Sequence, residues 1–159
     1  MDDITLARAL HVLAVVVWIG GVAFVTTVLL PGVRDIKAPK ERVVFFEVAE
    51  RRFAGQARYT TGLTGLSGFY MVARLDLWHR FVSISYWWMH AMVAVWLVFT
   101  LMLFVAEPLF LHRWLLARAS ARPEATFALV ERAHRILLTL SLLTLLGAVL
   151  GSHGVFLVG

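Results

Sequence analysis

The chain has 159 residues, of which 60% are hydrophobic and only 16% charged, and its mean hydropathy is +0.81. That profile excludes an ordinary soluble domain, where about a quarter of residues are charged. An excess of 15 Lys and Arg over 10 Asp and Glu would suggest nucleic acid in a soluble protein; in a membrane protein it sets orientation instead, and no nucleic-acid partner is expected.

A helix that crosses a bilayer needs roughly 20 mostly apolar residues. Four stretches qualify, about residues 6–30, 59–75, 86–105 and 136–158. The first opens with Met1-Asp2-Asp3, has a longer apolar run than a signal peptide and is followed by no A-x-A site, so it reads as a retained helix. Pro31-Gly32 reads as its stop. Residues 40–53 mix Val43, Val44, Phe46 and Ala49 with Glu47, Glu50, Arg51 and Arg52. This is the pattern of an amphipathic helix at the interface or of a cytosolic extension of the second span. The second connection is short, and Trp78, His79, Phe81, Tyr86, Trp87 and Trp88 suit an interfacial aromatic belt. Glu107-Pro108 falls where the third span leaves the hydrocarbon. Arg122-Pro123-Glu124 is a good helix start, so the fourth helix is expected to begin near Pro123.

Four spans put both termini on one side. The connections 31–58 and 106–135 carry Arg34, Lys37, Lys40, Arg42, Arg51, Arg52, Arg58, Arg113, Arg118, Arg122, Arg132 and Arg135, against Arg8, Arg74 and Arg80 on the other side. By the positive-inside rule those connections are cytosolic. The expectation is an all-α polytopic membrane protein: one transmembrane domain, residues 1–159, folded as a four-transmembrane-helix bundle, N-out and C-out, in a bacterial inner (cytoplasmic) membrane. The short second connection makes the second and third spans antiparallel neighbours.

His11, His90 and His153 lie near the outer ends of three different spans, each about one and a half turns in, roughly 6–10 Å below the outer interface. An imidazole in hydrocarbon needs a partner, and intramembrane ionisable residues are functional candidates by default. A metal is the obvious partner, most simply the iron of haem b, whose two axial ligands approach from opposite faces of the ring. His11, Ala14, Trp18 and Gly21 share a face of the first span; His90, Val93, Ala94 and Leu97 share one of the third. The second span has no histidine but carries Gly62, Gly65 and Gly68, either for close helix packing or as a flat wall for a porphyrin. Arg8, one turn outward from His11, and Arg74 and Arg80 suit haem propionates or lipid headgroups. His79, His112 and His134 read as packing or interfacial residues. Met71, Met89 and Met92 lie towards the same outer face, and thioether with imidazole suits Cu(I); methionine is also a common core filler. There is no cysteine, hence no disulfide or thiolate site. Ser67, Ser83, Ser85 and Ser152 lack a hydrolytic arrangement, Ser152 and His153 being helix neighbours that do not face each other.

The pattern Ala9-Leu10-His11 with Trp18-Ile19-Gly20-Gly21 resembles the first helix of the copper-resistance CopD and HemJ-type membrane proteins. Arg51-Arg52-Phe53 followed by Thr61-Gly62 is similar to the second helix of CopD-like domains. The resemblance implies haem b and protoporphyrinogen oxidation on the HemJ side, and copper handling on the CopD side. It implies a ligand role for His11, matching the first-helix histidine of the HemJ type. That type carries a lysine in its third helix where this chain has His90, a departure that favours bis-histidine haem over protoporphyrinogen oxidase activity.

The expected function is therefore that of a membrane-bound b-type haem protein that transfers electrons near the periplasmic face, with membrane oxidoreductase as the enzyme class this implies. His11 and His90 are the favoured ligands and His153 is an alternative; Trp18 and the three glycines line the cofactor. Quinol, a small oxidant or a periplasmic redox protein would be the partner. A copper-binding or copper-transport protein is the runner-up, and an accessory subunit to a redox partner is a third reading. A homodimer is a further expectation, since one small bundle leaves glycine and aromatic faces available.

Overall fold

A computed structural model describes residues 2–155. Among them every regular element is a helix. Four long helices alternate in direction: α1 (Asp3–Ile36), α2 (Pro39–Arg74), α3 (Ile84–Ala121) and α4 (Pro123–Ser152). Only Lys37 and Ala38 separate α1 from α2, and only Arg122 separates α3 from α4, so one end of the bundle is tightly turned. The other end carries the N-terminus and the α2–α3 connection with its 3-10 segment Leu77–Val82. Asp76, in the left-handed region at φ 50°, turns the chain there, a conformation that a short polar side chain tolerates better than most. Asp3 joins α1 to α2 at this end, accepting from the Tyr70 hydroxyl at 2.8 Å and from Arg74 Nη2 at 3.0 Å.

Three helices, α1, α3 and α4, are long and apolar enough to cross a membrane, which points to a membrane protein. At 1.5 Å per residue, the 34 residues of α1 extend about 51 Å against roughly 30 Å of hydrocarbon. The excess lies at the turn end, because the apolar runs begin close to the N-terminal end. Residues 31–36, 39–58 and 106–121, which the sequence places in connections, are helical, as is the stretch from Pro123.

Pro31-Gly32 does not stop α1. A π-helical turn, Val25–Leu29, precedes it, with the Leu30 N–H bonded to the Val25 carbonyl five residues back. Pro31 then occupies the first turn of the resumed α-helix, where its missing N–H is not needed. Pro108 is likewise absorbed inside a π-helical stretch, Met102–Leu111, and α3 continues to Ala121. At the other end the sequence expects helix as far as 158. The structure ends α4 at Ser152 with His153 as C-cap, Val155 is non-helical, and residues 156–158 lie outside the described residues.

The two halves of the bundle have different interiors. In the turn half, Val25, Leu30 and Val33 of α1, Val43 and Phe46 of α2, Leu115 and Ala119 of α3, and Phe127 and Val130 of α4 form a conventional apolar core. Mid-bundle, Trp18, Ile19, Val22, Phe99 and Leu138 cluster, and Phe53 packs against both groups. The N-terminal half buries small and hydroxyl-bearing residues: Ala7, Ala14, Thr64, Gly65, Ser67, Ser141, Thr144, Gly147 and Gly151. Trp88 and Met89 are buried with them, whereas Leu13, Val16 and Leu66 point outward. Lipid tails are as apolar as leucine, so helices in hydrocarbon associate through close approach of small residues rather than by burying large ones.

Candidate functional site

Aromatic rings fill the glycine positions of the N-terminal half. A Cβ on Gly65 would stand 2.6 Å from Cζ2 of Trp96, one on Gly147 2.4 Å from Trp87, and one on Gly151 2.5 Å from Trp88. A Cβ on Gly68 would meet His11 Cε1 at 3.1 Å, and nothing lies within 4 Å of Gly62. The glycines of α2 are therefore not a bare wall. Gly65 is a socket for Trp96, whose Nε1 donates to the Thr61 carbonyl at 2.9 Å, and Gly68 makes room for the imidazole of His11.

His11 is half-buried on α1 and faces α2. Its Nδ1 lies 3.0 Å from the Thr64 carbonyl oxygen and 3.2 Å from Ser67 Oγ. A carbonyl only accepts, so Nδ1 carries the proton and Nε2 keeps its lone pair. The Ser67 hydroxyl is committed to the Leu63 carbonyl at 2.6 Å. Metal-binding histidines are commonly held in this way, with one ring N–H on a carbonyl and the other nitrogen left for the metal.

The other two histidines are placed differently. His90 is exposed, three residues after the α-helical part of α3 begins; its Nε2 donates to the Phe81 carbonyl at 2.9 Å, with the two rings edge to face at 5.5 Å. His153 sits at the end of α4 rather than inside it, and its Nδ1 donates to the Val149 carbonyl at 2.8 Å. Ser152 and His153 do meet, Oγ to Nδ1 at 3.3 Å, because the helix ends between them. The hydroxyl also donates to the Val149 carbonyl at 2.8 Å, which leaves no activated nucleophile. Thus His11 contacts α2, His90 the α2–α3 connection, and His153 its own last turn; none of these hydrogen bonds joins two of the three. Among the described residues no group of three or more His, Asp or Glu side chains is placed to hold a metal ion.

Arg8 is exposed on α1. Arg74 is engaged by Asp3, and the Arg80 guanidinium lies 5.0 Å from the centre of the Tyr86 ring. Trp18 is buried, edge-on to Phe99 at 4.9 Å, and its Nε1 has no hydrogen-bond partner among the described residues. The Thr61 hydroxyl is in the same state, whereas Thr64, Ser67 and Ser141 each donate to the carbonyl one turn earlier.

The turn half holds ionisable residues of the segments expected to be cytosolic connections, an interfacial helix or an extension of the second span. Buried Glu131 on α4 pairs with Arg34 of α1 and with Arg135. Buried Glu47 of α2 pairs with His112 of α3. Arg58 reaches Glu107 at 3.2 Å and the Leu103 carbonyl at 3.0 Å. Glu50 is pushed up to about 7 by burial, then by the negative charges of Glu107 and Glu47, with Arg58 opposing. Carboxylates at helical spacing within an apolar run, Glu47 and Glu50 above all, are the signal that could have marked this cluster.

Comparison with family models, with curated proteins and with solved structures found no match.

Proposed function

We propose that the chain is a four-span bacterial inner-membrane protein of CopD/HemJ-like type that binds haem b near its outer face and passes single electrons there. His11 carries this reading: an imidazole inside a helix bundle, its Nδ1–H held by the Thr64 carbonyl of the facing helix and its Nε2 free to ligate iron. His90, whose Nδ1 makes no hydrogen bond among the described residues, is the proposed second ligand, and exposed Arg8 a propionate partner. His153 is the alternative ligand. Trp96 and His11 already fill Gly65 and Gly68, so the proposal puts no porphyrin face against them. When bound, the haem would supply one-electron iron chemistry, and quinol or a periplasmic redox protein would exchange electrons with it.

The fourth span is the C-terminal half of α2, about residues 59–75. N-out/C-out orientation rests on the 12 Lys and Arg of the two connections at the turn end against Arg8, Arg74 and Arg80. Because the chain has no cysteine, single cysteines at Lys37 and Asp76 test this directly. An impermeant thiol reagent applied to intact cells is expected to label Asp76→Cys and not Lys37→Cys; the reverse pattern overturns the orientation.

A reduced-minus-oxidised absorption spectrum of protein purified from haem-replete cells tests the cofactor. A sharp low-spin b-type band, abolished by His11→Ala and by His90→Ala, is expected. Colourless protein carrying stoichiometric copper overturns haem in favour of the copper reading, and loss of the band in His153→Ala alone overturns the ligand pair.

A further inference from the structure

The charges between α2 and the π-helical part of α3 do not balance. Three carboxylates, Glu47, Glu50 and Glu107, meet one guanidinium, Arg58, and one imidazole, His112. Arg58 is taken by Glu107 and by the Leu103 carbonyl, and His112 by Glu47. Glu50 is left with no ion pair within 4 Å among the described residues. The neighbouring helices offer it no cation: Arg34 and Arg135 are held by Glu131, and His134 donates to the Val130 carbonyl with its ring edge-on to Phe46. Arg51 and Arg52, next along α2, are exposed, and Arg113 of α3 donates to the Leu109 carbonyl.

We propose that Glu50, with Glu47, Glu107, His112 and Arg58 around it, is a proton-binding site shared by α2 and α3. A proton on Glu50 lowers the surplus negative charge by one without a further counter-ion, and the residue is only partly buried, which leaves that proton a route in and out. Ionisation loads a second negative charge against Glu107, which sits beside Pro108 in the stretch of α3 whose main-chain bonding is π-helical. Such stretches are often functional and are the natural place for a helix to yield. The site is independent of the haem reading, being built only from residues of the turn half.

The titration of Glu50 is expected to centre near 7. Difference infrared spectra of the whole protein in lipid nanodiscs, taken from about pH 5 to about pH 9, follow the carbonyl stretch of a protonated carboxylic acid. The expected result is a buried-acid band that disappears with that midpoint and is absent in Glu50→Gln. Glu47→Gln and Glu107→Gln, each removing a like charge, are expected to keep the band and lower its midpoint. A band that survives in Glu50→Gln, or no acid titrating in this range, overturns the proposal. Should Glu50→Gln fail to fold, the other two variants decide: an unchanged midpoint in both overturns it.

Discussion

Gly62 and Gly65 lie one turn apart on α2 and should respond oppositely to the same substitution. Alanine at Gly62 meets nothing within 4 Å, so only helix propensity changes, a gain of up to about 1 kcal/mol. At Gly65 the new Cβ would fall 2.6 to 2.7 Å from Cζ2, Cε2 and Nε1 of Trp96, and relief requires the indole to move by about 1 Å. That ring is held by its bond to the Thr61 carbonyl at 2.9 Å and by Phe69 edge-on at 5.6 Å. Overpacking of this kind costs about 1 to 3 kcal/mol, and weakening the indole hydrogen bond adds about 1 kcal/mol. The two variants should therefore differ by about 2 to 4 kcal/mol. Reversible unfolding in mixed detergent–SDS micelles, followed by tryptophan fluorescence, measures this difference. Equal stabilities would refute the socket argument, and a destabilised Gly62→Ala would place a packing partner where the structure has none.

Three further outcomes are expected. Glu131 is buried while Arg34 and Arg135 are largely exposed, so Glu131→Leu leaves two solvated cations and costs little, whereas the double variant Arg34→Leu/Arg135→Leu strands a buried carboxylate at about 3 to 5 kcal/mol; equal costs in the unfolding assay would contradict this. Thr61→Val removes a buried hydroxyl without a partner and should raise stability by about 1 to 3 kcal/mol; a comparable loss would show that the hydroxyl holds a water or ligand. Glu50 is raised from 4.5 to about 7 in the folded chain, so its stabilising effect is complete below 4.5 and is lost as pH rises through 7. The loss is at most about 3 kcal/mol, and less where water screens the side chain. Unfolding curves of Glu50→Gln should lack this fall; a native chain with flat stability over the same range would count against it.

The sequence carried the helices but not their partners. Among the described residues each predicted apolar stretch is helical over most of its length, the fourth ending early at Ser152; α4 begins at the expected Pro123, and the short aromatic connection lies between the second and third stretches. Those features are local, set by composition and by proline at first-turn positions. Pro31 was misread because its tolerance depends on the π-helical turn before it, which no short motif announces. The depth match among the three histidines failed at His153, where the helix end is decided by backbone geometry and not by hydropathy. The glycine spacing on α2 was visible, but which ring enters each glycine depends on the register between α2 and α3. The Glu47–His112 pair joins residues 65 apart in sequence and was hidden for the same reason.

The division between the halves bears on where a cofactor could enter. The turn half is held by an apolar core drawn from all four helices, by connections of two residues and one, and by the Glu131 and Glu47 ion pairs. The N-terminal half instead joins its helices through single rings in glycine sockets, with Trp88 and Met89 buried, and through hydroxyls bonded within their own helices. Local opening is easiest where few apolar contacts must be broken. His11, the one candidate ligand fixed by a facing helix, lies in that half. Parting α1 from α2 there breaks its bond to Thr64 and the Asp3 contacts with Tyr70 and Arg74, but leaves the turn-half core untouched.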